Sequence, residues 1–302
     1  MNILCMKRKL PSVISEPSLH ENIFDGLDVS ETTRKEYSAR IGLFLSYVHA
    51  RGFNQQSYLS FKRYLQARTD YSVATKNKYL ATSRVFLREL TRRGKLPFDV
   101  TNNVKQFRQS KRHRREGLSD KEIKLLGVKI QSLPNTPRNS RLRAMFSLLA
   151  YQGLRQIEIV RLDVDDLVLH KGVAYIHGKG EDDKEPIYLT PATVKALTSY
   201  LKVHNLTNGT LFRSMGNRKT ERLSTMTIKR EMGELFTELG IEKTVHGFRH
   251  FFVTELLKTM DARDVRKFSR HRSLEMLMIY DDEVSVKAKA QHVFTAMEKF
   301  AV

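Results

Sequence analysis

The chain has 302 residues, enough for two domains, and carries 53 Lys and Arg against 33 Asp and Glu, a net charge of +20. A folded protein this basic is suited to a polyanion, with nucleic acid ahead of a membrane surface or ribosomal RNA. No run of about 18 apolar residues reads as a transmembrane span, and the single cysteine, Cys5, excludes an intramolecular disulfide and a multi-cysteine metal site and fits a reducing cytoplasm.

Residues 1–21 read as a tail with a basic patch at Lys7, Arg8 and Lys9 and a breaker at Pro11. The opening has no long apolar stretch, so it does not read as a signal peptide. Thr33-Arg34-Lys35-Glu36 has the form of a capping box, and Tyr37, Ile41, Phe44, Leu45 and Val48 follow at helical spacing. Tyr58, Phe61 and Tyr64 predict a second helix, and Val73 to Leu90 a third. In the third, Tyr79, Leu80, Val85 and Phe86 are expected in the core, with Lys76, Lys78, Arg84 and Arg88 outside. Residues 22–108 thus read as a small helical domain with a basic face. Residues 1–115 hold 23 Lys and Arg against 9 Asp and Glu, so most of the charge surplus lies here.

Residues 109–117, QSKRHRREG, are polar and basic and end in glycine, and they read as a linker. Lys111, Arg112, Arg114 and Arg115 would lie along a nucleic-acid backbone, or simply be solvated. A second domain spans 118–302. Ser119-Asp120-Lys121-Glu122 is another capping box. Arg141 to Gln152 is an apolar helix closed by Gly153. Residues 172–177 alternate like a strand and Ile187-Tyr188-Leu189 resumes after GKGEDDKEP, so a hairpin is expected. Thr190-Pro191 starts a helix as N-cap and first helical residue. Another helix, through Met232 to Leu239, ends at Gly240, and helical pattern with short breaks continues from His246. The fold class expected is mainly α with one small β-sheet.

The residues suited to chemistry are those that handle phosphate. Cutting or joining nucleic acid requires stabilising a pentacoordinate phosphorus with extra negative charge, which the planar guanidinium fork does well. Arg155 follows a Gly-Leu helix end, with Glu158 three residues on. Arg249 follows His246 by about one helical turn, so both can point the same way. Lys179 sits in a Gly-Lys-Gly turn, and Tyr280 can act as a covalent nucleophile. Singly, each has a plain structural reading: Tyr280 ends the apolar stretch Leu274, Met276, Leu277, Met278 and Ile279 and reads as core, and His250 beside Arg249 reads as support. No P-loop, dinucleotide fingerprint, EF-hand or His/Cys metal motif is present in the sequence, so neither cofactor nor metal is expected.

Taken together, GLRQIE (Arg155, Glu158), IHGKG (Lys179), HGFRH (His246, Arg249) and RH…IY (His271, Tyr280) resemble the tyrosine recombinase, or phage integrase, family in its simple two-domain, Xer-like or transposon-resolvase form. The resemblance covers nearly the whole chain. It implies a helical, SAM-like core-binding domain and a catalytic domain closing on DNA as a C-shaped clamp. It further implies that Tyr280 attacks the scissile phosphate to form a 3′-phosphotyrosyl bond, and that Arg155 and Arg249 clamp its non-bridging oxygens. Lys179 would protonate the leaving 5′-oxygen, His246 would handle the tyrosine proton, His271 would hydrogen-bond the phosphate, and Glu158 would orient the site. The partner implied is double-stranded DNA with paired inverted half-sites, bound by a homotetramer, with room for an accessory DNA-bending protein and none for a membrane. The location implied is the cytoplasm, on the nucleoid.

Two departures stand out. Arg270 replaces the glycine usual before the late histidine, and the acidic hairpin after Lys179 (Glu181, Asp182, Asp183) is one residue longer than common, which leaves Lys184 as a weaker candidate for the acid. The stripe Val293, Phe294, Met297 and Phe300 reads as a C-terminal helix docking on a neighbouring subunit, or packing within its own. A DNA-binding regulator on the same fold and a type IB topoisomerase are the alternatives. The reactive set weighs against the regulator, and strand exchange between two sites separates a recombinase from the topoisomerase.

Overall fold

The computed structural model describes residues 23–109, 117–178, 183–214, 222–278, 280 and 298. The chain divides into two compact units, Met1–Ser110 and Lys111–Val302. The expected tail, Lys111, Arg112, Arg114 and Arg115 of the linker, Lys179 and the stripe from Val293 to Phe300 lie outside the described residues.

Among the described residues the first unit holds three helices, α1 (Glu31–Arg51), α2 (Ser57–Ala67) and α3 (Val73–Arg92). Its core gathers Phe24, Phe44, Tyr58, Phe61, Leu80 and Phe86, all fully buried. The first helix starts one turn earlier than the sequence suggests. Ser30 is its N-cap, with its hydroxyl accepting from the Thr33 amide. Glu36 pairs with Arg40 at 2.7 Å, one turn on. Ser72 caps α3 in the same way as Ser30 caps α1. Lys78 and Arg88 are exposed, and Lys76 is half-buried with its ammonium on the Gln66 carbonyl. Arg84 departs from the expected outer face. Its guanidinium donates to the Val104 carbonyl and lies 5.6 Å from the Tyr58 ring, so it closes the chain after α3 onto the core.

In the second unit, α4 (Asp120–Ser132) starts at the Ser119–Glu122 capping box, with both reciprocal bonds made. Helix α5 (Pro137–Gln152) has Thr136 as N-cap and Pro137 at its first position. From Ser140 to Gln152 it is buried on nearly every side. Its one deeply buried charge, Arg141, is paired with Glu231 and donates to the Arg213 carbonyl at 2.9 Å. Then come α6 (Gln156–Arg161) and a three-stranded antiparallel sheet, β1 (Leu167–Val168), β2 (Val173–His177) and β3 (Lys184–Tyr188), in that order. The expected hairpin is β2–β3, with Ala174 opposite Ile187 and His177 opposite Lys184. On β2 the buried residues are Ala174 and Ile176, the alternation of a sheet with one covered face. Helices α7 (Pro191–His204), α8 (Thr225–Glu238), α9 (His246–Thr259) and α10 (Ala262–Ser269) complete the described elements, and α7 is capped by Thr190 as expected.

Candidate active site

Three backbone turns converge on one place in the second unit. The first is the end of α5. Gly153 sits at φ 57° and ψ 28°, the left-handed conformation that glycine adopts without strain. A Cβ here would meet Phe252 Cδ1 at 2.3 Å, so the position is closed to a side chain by space as well as by conformation. The turn presents the Gly153 carbonyl to Arg249 Nη1 at 2.8 Å and delivers Arg155 to the start of α6. There the Arg155 guanidinium donates to Glu158 Oε1 at 2.6 Å, while its amide donates to Oε2 at 2.8 Å.

The second is α9. His246 opens it and is exposed, whereas Arg249, one turn in, is 2% exposed. Arg249 also donates to the carbonyl of Ser269. Next on the same helix, His250 is buried against Tyr280, with ring centroids 4.9 Å apart, and its Nδ1 lies 3.3 Å from the Thr254 hydroxyl.

The third is the end of α10. Arg270 caps it at φ 55° and ψ 44°, again left-handed, a conformation that glycine adopts without strain. The Arg270 side chain is only 8% exposed. It donates to Glu158 Oε2 at 3.2 Å and to the Phe268 carbonyl at 2.8 Å. Immediately after it, His271 Nδ1 is 2.8 Å from Ser269 Oγ, and the His271 and Tyr280 rings are 5.5 Å apart. Tyr280 is 5% exposed and belongs to a small cluster with Val253, Val265 and Leu277.

The arrangement therefore brings Arg155, Glu158, Arg249, His271 and Tyr280 together from positions spread over more than a hundred residues. The sequence singled out each of them. It did not reveal that Arg270 turns inward or that Ser269 holds the His271 ring, and it read His250 as support without showing that its ring meets the tyrosine edge-on. For Arg270 the sequence hint was a non-glycine residue where the turn favours glycine.

The electrostatics follow from burial beside concentrated positive charge. Burial pulls Arg249 down to about 9, with Arg155 and Arg270 acting in the same direction and Glu158 opposing; it stays charged at neutral pH. Burial drives His271 down to about 3, helped by Arg249, Arg155 and Arg270, so its imidazole is neutral. Burial works to raise Glu158, but Arg270, the Arg155 amide, and the charges of Arg155 and Arg249 hold it below the usual glutamate range. Burial lifts the Tyr280 phenol, while Arg249 and Arg155 pull it back.

Of the two lysine candidates, Lys184 lies among the described residues and Lys179 does not. Lys184, on β3, pairs with Asp166, which is buried and whose other oxygen accepts from the Asp163 amide. Gly178, the last described residue before Lys179, has its carbonyl held by Arg161 at 3.2 Å. Among the described residues no group of three or more His, Cys, Asp or Glu is placed to hold a metal ion, and no helix is long and apolar enough to cross a membrane.

Comparison with known proteins gives these positions their context. The phage integrase family matches residues 118–285, a span that contains all of the site residues. The chain is 28% identical to the tyrosine recombinase XerD of Listeria monocytogenes serotype 4b (strain F2365) over 282 residues, covering 86% of this chain and 91% of that one. Its fold is similar to that of the XerH site-specific recombinase bound to a palindromic difH substrate, with a TM-score of 0.69 at 18% identity, over 90% of this chain and 80% of that one. It is likewise similar in fold to a lambda integrase tetramer bound to a Holliday junction, with a TM-score of 0.66 at 17% identity, over 87% and 75% of the two chains. The chain belongs to the phage integrase family and is a tyrosine recombinase of the Xer-like type, an enzyme of site-specific DNA recombination.

Proposed function

We propose that the protein cuts and rejoins DNA strands through a covalent 3′-phosphotyrosyl intermediate on Tyr280, acting as a tetramer on two sites with paired inverted half-sites. The observation that carries this reading is the convergence of Arg155, Arg249, His271 and Tyr280, with the charges of both arginines felt at the tyrosine hydroxyl. The phenolic oxygen attacks phosphorus and the bond to the 5′-bridging oxygen breaks. Lys179 gives that oxygen a proton, leaving a free 5′-hydroxyl, and His246 takes the proton from the tyrosine. Arg155 and Arg249 bind the non-bridging oxygens, whose charge grows in the transition state. Neutral His271 has Nδ1 2.8 Å from the Ser269 hydroxyl; in the tautomer that accepts the Ser269 proton at Nδ1, its Nε2–H donates to a phosphate oxygen. Phosphodiester energy is kept in the tyrosyl bond, so resealing needs no nucleotide cofactor.

The biological setting we favour is integration, excision or resolution of a mobile element or replicon. The lambda integrase tetramer on a Holliday junction is the precedent for the assembly, and the apolar stripe ending at Phe300 is the segment suited to bridge subunits. The test uses a DNA strand that ends just beyond the cleavage point, so that the freed fragment diffuses away and the intermediate is trapped. The parent protein should give a denaturant-stable adduct. Tyr280→Phe should bind the same DNA and give none, and an adduct from that variant would overturn the assignment. Arg249→Ala should bind and react slower by roughly 10²–10³-fold.

A further inference from the structure

Arg270 is the site's unexplained residue. It adopts a left-handed backbone that glycine takes without strain, and yet it buries its guanidinium. Nη1 reaches the Phe268 carbonyl at 2.8 Å, and Nη2 reaches Glu158 Oε2 at 3.2 Å and the Gly153 carbonyl at 3.5 Å. Its buried Nε has no hydrogen-bond partner among the described residues. Strain and an unsatisfied buried donor persist together where the surrounding structure makes use of the group.

Glu158 shows what that use is. This fully buried carboxylate orients Arg155 through both its side chain and its amide. Such an orienting partner has a cost, because its negative charge lies against the arginine meant to attract phosphate and cancels part of that attraction. Arg270 brings a second cation to the same carboxylate. Arg155, Arg249, Arg270 and Glu158 then sum to two positive charges, where the set without Arg270 would sum to one. We infer that Arg270 is a positioning residue that neutralises Glu158, so that the carboxylate can orient Arg155 without cancelling its charge at the scissile phosphate. The inference rests on the cleavage reading of the site proposed above.

The test is a double-mutant cycle of Arg270→Gly and Glu158→Gln, read as the single-turnover rate of adduct formation on the trapping substrate, with a melting curve for each protein. Glycine suits the left-handed turn, so R270G should keep its melting transition. It should slow adduct formation about 10- to 100-fold, the usual effect of removing a group that supports a reacting residue. Adding Glu158→Gln to R270G should recover part of the loss, although the same change slows the parent. Purely additive losses would overturn the inference. A scissile methylphosphonate lacks one charged oxygen and needs less cationic stabilisation, so R270G should fall behind the parent by less on that substrate. Equal slowing on both substrates would also overturn it. If R270G loses its melting transition, Arg270→Gln, which drops the charge and keeps amide donors, carries the same predictions through the same cycle. A parent that forms no adduct sinks the cleavage reading and this inference with it. An active parent matched in rate by R270G sinks this inference alone.

Discussion

A histidine held neutral beside three arginines leaves a signature in the stability of the fold. His271 has an ordinary value of 6.5 and is driven to about 3 in the folded chain. When pH falls through 6.5 the unfolded chain binds a proton that the folded chain refuses, so stability present above 6.5 is lost progressively toward 3. Carboxylates add to the loss only lower down. Glu89, whose value falls to about 2 chiefly through its bond to Arg92, loses its contribution only below its ordinary 4.5. Between pH 6.5 and 5 the melting temperature should therefore fall, and His271→Gln should flatten that fall; an unchanged slope in the variant would contradict the neutral imidazole. The lysines make a second prediction. A 5′-bridging sulfur leaves without needing a proton, so it should rescue Lys179→Ala. Lys184 is committed to Asp166, so Lys184→Ala should show no such rescue, and rescue confined to it would move the acid along the hairpin. Arg155, Arg249, His271 and Tyr280, singled out in the sequence by type and order, lie together in the fold. The roles of Arg270 and Ser269 were not legible there, since they come from a left-handed turn that folds the chain back on itself. The Lys184–Asp166 pair was equally hidden, because the two residues meet only once β3 has paired into the sheet.

Among elements, the end of α5 sets the position of Arg155, and Gly153 sets the end of α5. Gly153→Ala would place a Cβ in left-handed backbone, costing about 1–2 kcal/mol, and would drive it into the Phe252 ring. The expected loss is therefore more than about 2 kcal/mol, with a larger loss of adduct formation because Arg155 moves with the turn. Adding Phe252→Ala should relieve the clash while leaving the backbone strain. Chemical denaturation of the single and double variants measures both, and a G153A protein as stable as its parent would contradict the account. Helix ends of this kind were readable from sequence where one residue type serves one geometry, as at Ser119, Thr190 and Gly153. They were misread where hydroxyls stand a turn apart. Ser30 and Thr33 both suit an N-cap, and the fold uses Ser30, with Glu36 paired to Arg40. The strand β1 escaped notice because two residues carry no periodicity, and it exists only through pairing with β2.

For the whole molecule, the net charge of +20 makes DNA affinity a matter of counterion release. Binding should weaken steeply with salt, and neutralising either Lys76 or Lys78 should reduce the slope of log affinity against log salt by about 1 while leaving sequence preference unchanged. A slope that does not move would remove these lysines from the DNA interface. The two-unit organisation and the helical character were legible from the change of pattern around residues 109–117, and the first core was legible from its aromatic spacing. Arg84, read as part of the outer basic face, instead binds a backbone carbonyl inside its own unit, since a long side chain can fold back wherever an unpaired carbonyl lies within reach. The claim on which everything else depends is that one phenolic oxygen among 11 tyrosines forms the bond to DNA. Trapping the adduct, digesting both protein and DNA, and locating the nucleotide remnant by mass spectrometry addresses it directly. The account predicts the remnant on Tyr280 alone, joined through a 3′-phosphate; a remnant on any other residue, or one joined through a 5′-phosphate, would contradict it.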